Sequence, residues 1–115
     1  MEYIDPGLSV RTIAPPDGEM GMHLDVAGEL AGENAHILRH AVEPVFVTPK
    51  APHLTLIMHG VKYMDSTGIG VLVSIIQEIA DRGGRLDIVG LNNTGRQLLA
   101  IVNLAGIECV KIRPS

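Results

Sequence analysis

Between Met20 and Gly28 the chain alternates Met20, Met22, Leu24 and Val26 against Gly21, His23, Asp25 and Ala27. A period of two sends successive side chains to opposite faces, so this segment is expected to be a half-buried strand. Leu8–Ile13 alternates in part and reads as a shorter strand. The turn signal Pro15-Pro16-Asp17-Gly18 lies between the two. The folded chain is therefore expected to open with a hairpin, after a flexible tail over residues 1–7.

The period then lengthens. Ala31, Ala35, Leu38 and Val42 share one face of a helix over Ala31–Val42. Leu54–Met58 is nearly all apolar and suits a central strand covered on both faces. Ile69, Leu72, Val73, Ile76, Ile79 and Ala80 form the clearest helical stripe, over Thr67–Asp81, and Gly83-Gly84 ends it. Arg85–Val89 is expected as a strand. Thr94–Val102 follows as a helix with Leu98, Leu99 and Val102 on its apolar side, and Ile107–Ile112 as a last strand. The order β-β-α-β-α-β-α-β predicts a single α/β domain over residues 8–113. It should have a mixed, mostly parallel sheet, right-handed crossovers and helices packed largely on one face.

Composition narrows the function classes. The 115 residues are 46% hydrophobic but only 3% aromatic, so the core must be aliphatic. The single cysteine, Cys109, excludes an internal disulfide and fits a reducing cytoplasm, where it would serve as a small buried hydrophobe. Glu2, Asp5, Pro6 and Arg11 are foreign to a secretory leader, and Gln77, Glu78, Asp81 and Arg82 interrupt the most apolar run. No membrane association is expected. With a net charge of -4, nine scattered basic residues and no Trp, nucleic acid is not an expected partner. Gly68-Ile69-Gly70 lacks the Lys-Ser/Thr of a P-loop, and Gly-x-Ser-x-Gly is absent. His36 and His40 stand four apart but have no third ligand, so they read as surface histidines. No metal, cofactor or enzymatic activity is expected.

One segment carries chemistry. Tyr63-Met64-Asp65-Ser66-Thr67-Gly68-Ile69-Gly70-Val71-Leu72 joins a central strand to the strongest helix and places Ser66 at the helix start. Backbone N–H groups without intrahelical partners point outward there, and the helix dipole favours a phosphate by roughly 0.3–1 kcal/mol. The ordinary explanation for Asp65 or Ser66 is an N-cap. No capping box accompanies it, since Asp65 leads to Gly68 and Ser66 to Ile69. Gly68 and Gly70 each cost about 1 kcal/mol relative to alanine in a helix, and both permit close approach of another surface.

The run from Met64 to Leu72 resembles the signature of STAS domains, specifically those of the bacterial anti-sigma-factor antagonists. Gly28-Glu29-Leu30, Gly83-Gly84-Arg85-Leu86, Arg96-Gln97-Leu98-Leu99 and Leu104-Ala105-Gly106-Ile107 resemble other parts of that family in the same order, over about residues 8–113. The resemblance implies that Ser66 is phosphorylated by a partner anti-sigma factor that is also a serine kinase, with Thr67 the weaker candidate. The unphosphorylated form would bind that anti-sigma factor and free the sigma factor; a serine phosphatase would restore it. The implied partner-binding residues are Asp65, Ser66, Thr67, Gly68, Ile69 and Gly70, with Glu29 and Glu33. The sequence departs from the family pattern at Ala31 and Ile57, where polar residues near the serine are common. Those departures leave open a STAS scaffold or adaptor that is not phosphorylated. An enzyme or small-ligand carrier of similar fold would require a pocket with convergent polar groups.

Overall fold

Segments of period two and of helical period alternate along the chain. In a computed structural model, which describes residues 2–5, 7–18, 20–47, 50–101 and 110–113, they form one sheet and three helices. Strands β1 (Glu2–Asp5), β2 (Leu8–Ile13), β3 (Met22–Leu30), β4 (His53–Met64), β5 (Arg85–Val89) and β6 (Val110–Arg113) lie in sequence order across the sheet. The pairs β1–β2 and β2–β3 are antiparallel; β3–β4, β4–β5 and β5–β6 are parallel. Helices α1 (Ala35–Val42), α2 (Ser66–Asp81) and α3 (Asn93–Ile101) make the three parallel crossovers. Crossovers of one hand that always step in the same direction lay their helices on the same side. Accordingly α1 packs on β2 and β3 and beside α2, while α2 packs on β4 and β5 and beside α3.

The core fills the space between that sheet face and the helices. Leu24, Val26, Leu54, Leu56, Met58, Leu86 and Ile88 meet Leu38, Val42, Leu72, Ile75, Ile76 and Ile79, all buried and none aromatic. A polar cluster fastens α1 to α2 at the rim. The Arg39 and Arg82 guanidinium groups stand 5.1 and 5.2 Å from the Phe46 ring centroid. Glu78 of α2 pairs with Arg39 of α1 and, at 3.0 Å, with Arg82. Among the described residues no helix is long and apolar enough to cross a membrane.

Several expectations change. Glu2–Asp5, expected to be a loose tail, pairs with β2 as β1; four residues are too few to show a period. The strand over Leu54–Met58 has helices on one face only, and Thr55 and Ile57 stand half-buried on the other. This follows from the crossovers all running the same way. β4 also continues to Met64 through the polar stretch His59–Tyr63, and it is β4 that is bulged there: Asp25 and Ala27 pair with Ile57 and Gly60, and Gly28 and Glu29 with Val61 and Tyr63, so β4 holds one extra residue at each shift. The helix expected from Ala31 begins at Ala35, after a 3-10 turn at Gly32–Asn34, because Gly32 takes a left-handed φ of 54°. The expectations for Val102, Ile107, Glu108 and Cys109, and for the side chains of Leu98 and Leu99, fall outside the described residues.

Candidate functional site

β4 delivers Met64 to the C-terminal edge of the sheet, where Asp65 turns the chain. Its φ of -110° and ψ of -173° are extended, yet its carbonyl already accepts the first helical bond, from Ile69 N–H at 3.0 Å. Asp65 is thus the N-cap of α2: its Oδ1 accepts from Gly68 N–H at 2.9 Å. The second oxygen is also engaged, with Oδ2 accepting from Gly32 N–H at 3.1 Å, and Asp65 N–H donates to the Leu30 carbonyl at 3.4 Å. One half-buried aspartate therefore joins the end of β3, the 3-10 turn and the start of α2.

Gly68 makes that junction possible. A Cβ at this position would lie 2.0 Å from the Leu30 carbonyl oxygen, so any side chain would drive the first turn of α2 away from β3. Gly68 and Ile69 are buried, whereas Ser66, Thr67 and Gly70 are exposed. Ser66 is the first residue of the helix, and no acidic side chain lies in the first turn after the cap. No other described residue holds the Ser66 hydroxyl by a hydrogen bond.

α3 starts in the same way. Asn92 Oδ1 accepts from Gly95 N–H at 2.8 Å, so Asn92-Asn93-Thr94-Gly95 repeats the cap of Asp65-Ser66-Thr67-Gly68. Capping therefore accounts for Asp65 and Gly68. It does not account for Ser66, which corresponds to Asn93, or for Gly70, which corresponds to Gln97.

Glu29 and Glu33 share this edge. Glu29 is exposed and pairs in register with Tyr63, two residues before Asp65. Glu33 is exposed in the 3-10 turn that Asp65 holds through Gly32. Tyr63, an aromatic residue 54% exposed beside the helix start, was not singled out from the sequence; a large apolar ring at the polar end of a strand is the signal that marks it. The two departures from the family pattern separate in space. Ala31 adjoins Gly32 and so lies at the site. Ile57 was expected near Ser66, but it lies on the helix-free face opposite Asp25 and Val89, and the five β3 steps from Asp25 to Leu30 beside it put it roughly 17 Å back from Met64. It cannot act on the serine directly.

The histidines His36 and His40 are exposed on α1, and His36 Nδ1 bonds the Glu33 carbonyl. Among the described residues no three His, Cys, Asp or Glu side chains could hold one metal ion. An open hollow of about 220 Å³, lined by Met20, His23, His53, Leu54, Thr55, Arg85 and Asp87, lies at the opposite edge of the sheet from Ser66.

A family model for the STAS domain matches residues 14–115. The anti-sigma-B factor antagonist of Bacillus subtilis strain 168 is 29% identical over 78% of this chain and 78% of its own length. The anti-sigma-B factor antagonist of Listeria monocytogenes is 33% identical over 77% of this chain and 79% of its own length. A crystal structure of an anti-sigma factor antagonist from Mycobacterium paratuberculosis superposes with a TM-score of 0.67, covering 92% of this chain and 86% of that one. At 19% identity that likeness is one of fold.

Proposed function

The chain belongs to the STAS-domain family and is homologous to the bacterial anti-sigma-factor antagonists, a regulatory and non-catalytic group; from that premise we propose that it is a phosphorylation-controlled antagonist. It binds an anti-sigma factor through the amino end of α2, which frees the sigma factor. The anti-sigma factor, acting as a serine kinase, phosphorylates Ser66 and thereby ends the complex, and a serine phosphatase resets it.

One observation carries this reading. Capping and packing occupy Asp65 and Gly68, yet the two residues between them, Ser66 and Thr67, are displayed to solvent. A phosphate on Ser66 would meet the outward N–H groups of the first turn and lie one residue from the Asp65 carboxylate. Inside a docked patch, about two added negative charges bring repulsion and desolvation of several kcal/mol, and about 2.8 kcal/mol weakens binding a hundredfold. No rearrangement of the fold is required. The docking face then consists of the exposed set Ser66, Thr67, Gly70, Glu29 and Glu33, while Gly68 and Ile69 support it from within.

Incubating the protein with its anti-sigma kinase and ATP should add one phosphate, mapped by mass spectrometry to Ser66 and lost in Ser66→Ala. Undiminished phosphorylation of Ser66→Ala would remove Ser66 from the scheme. Ala31, an uncharged residue at the site, favours a second reading in which the chain is a constitutive scaffold. On that reading Ser66→Asp binds the partner as tightly as the wild type.

A further inference from the structure

At the edge of the sheet opposite Ser66, two hollows meet. The one of about 220 Å³ is polar, with His23, His53, Thr55, Arg85 and Asp87 along it. The other, of about 340 Å³, is walled by Met22, Pro44, Val45, Ala51 and Pro52 and is mostly apolar. Met20 and His53 line both, so the two make one site with a polar and an apolar end. The apolar end alone falls within the roughly 300–1,000 Å³ of small-molecule sites. Backbone contacts set its shape. A Cβ on Gly21 would lie 2.3 Å from the His53 carbonyl oxygen, and one on Gly84 would lie 2.2 Å from that of Pro52. Arg85 N–H donates to the same Pro52 carbonyl at 2.8 Å. The starts of β3, β4 and β5 are thereby held together around the hollows.

Charge decides what such a site would take. Among the described residues Asp87 is the one carboxylate that lines either hollow, and Arg113 pairs with it at 3.2 Å. Arg85 pairs with no carboxylate among the described residues, and the exposed Lys50 adds a second cation at the apolar end. This balance is positive in a chain of net charge -4. His23, 4% exposed, puts a buried polar ring in the wall of the polar end. Met20, 73% exposed at the junction, is a flexible side chain that can lie along a bound aliphatic chain. We propose that this is a binding site for a small amphipathic carboxylate. Arg85 receives the carboxylate on its paired N–H groups, beside His53 and the Thr55 hydroxyl, and the aliphatic body lies along Met20, Met22 and Val45. Each methylene buried there is worth about fourfold in affinity. The site is independent of the serine switch and leaves the face at Ser66 open to a protein.

Octanoate is a suitable probe, titrated into the 115-residue chain and followed by amide chemical shifts. Saturable changes are expected at Gly21, His53 and Arg85, and none at Ser66 or Thr67. Acetate lacks the tail and octanol lacks the charge, so each should bind weaker by about tenfold or more. Arg85→Gln should lose roughly tenfold for octanoate, whereas Lys50→Gln, altered only at the apolar end, should lose less than about threefold. Met20→Ser should weaken octanoate without weakening acetate. Equal affinities for octanoate and octanol, or equal octanoate affinities in wild type and an Arg85→Gln protein of unchanged melting temperature, would overturn the anionic end. Shift changes that do not saturate by about 10 mM would overturn the site itself.

Discussion

Replacing Gly68 by alanine would put a methyl carbon 2.0 Å from the Leu30 carbonyl oxygen, 2.9 Å from its carbonyl carbon and 3.0 Å from Met64 Cγ. Met64 can turn aside, but the Leu30 backbone is held by Asp65 N–H and by β3 pairing. The first turn of α2 must then retreat by about 1.4 Å to restore a normal contact. Alanine gains about 1 kcal/mol of helix propensity. Against it stand an overpacking cost of about 1–3 kcal/mol or more and partial loss of a cap worth about 0.5–2 kcal/mol. The net loss expected is about 1–3 kcal/mol, read as a fall of roughly 5–20 °C in melting temperature by circular dichroism. Gly95→Ala is the matched control. Its nearest contacts are the Leu91 side chain at 2.7 and 2.9 Å, which can rotate, so it should lose less than half as much. Stability of Gly68→Ala within about 0.5 kcal/mol of wild type would refute the seating of α2 on β3.

Asp65→Ala strips the acceptor from two backbone N–H groups, Gly68 and Gly32, and should cost about 1–2 kcal/mol with faster amide exchange at both. Asp65→Asn keeps one acceptor and should lose less; equal exchange in all three proteins would contradict the assigned hydrogen bonds. Burial alone would raise the Glu78 carboxyl, but the hydrogen bonds and charges of Arg39 and then Arg82 prevail and hold it below its ordinary value of 4.5. A depressed carboxylate stabilises above its unfolded value, and that contribution is lost as pH falls through the folded one. The stability gap between wild type and Glu78→Gln, about 0.2–1 kcal/mol for pairs this exposed, should therefore hold near neutrality and close below about pH 4.5. A gap that widens on acidification would reverse the assignment.

Much of this fold was legible because local pattern and tertiary burial agree. The stripe Ile69, Leu72, Ile76 and Ile79 predicts a helix from Thr67, and α2 begins one residue earlier, at Ser66. Met22, Leu24 and Val26 alternate as expected in β3, although His23 is buried on the helix-free side. The far half of β4 is hidden because His59, Gly60 and Lys62 are poor strand residues, and pairing with β3, around two bulges in β4 itself, overrides them. At the site, the exposed serine beside a capping aspartate follows from the motif. The division between the two glycines does not. Gly68 and Gly70 look equivalent in the chain, and what separates them is the carbonyl of Leu30, 38 residues before Gly68. Ile57 shows the same limit in reverse: only the strand's length reveals how far it lies from Ser66.

The affinity of the anti-sigma factor for this protein before and after stoichiometric phosphorylation of Ser66, measured by calorimetry at one salt concentration, bears on the whole scheme at once. Charge placed at the amino end of α2 should weaken the complex by about a hundredfold or more, with the melting temperature of the free protein nearly unchanged. Equal affinities for the two forms, within about threefold, would mean that this serine gates nothing.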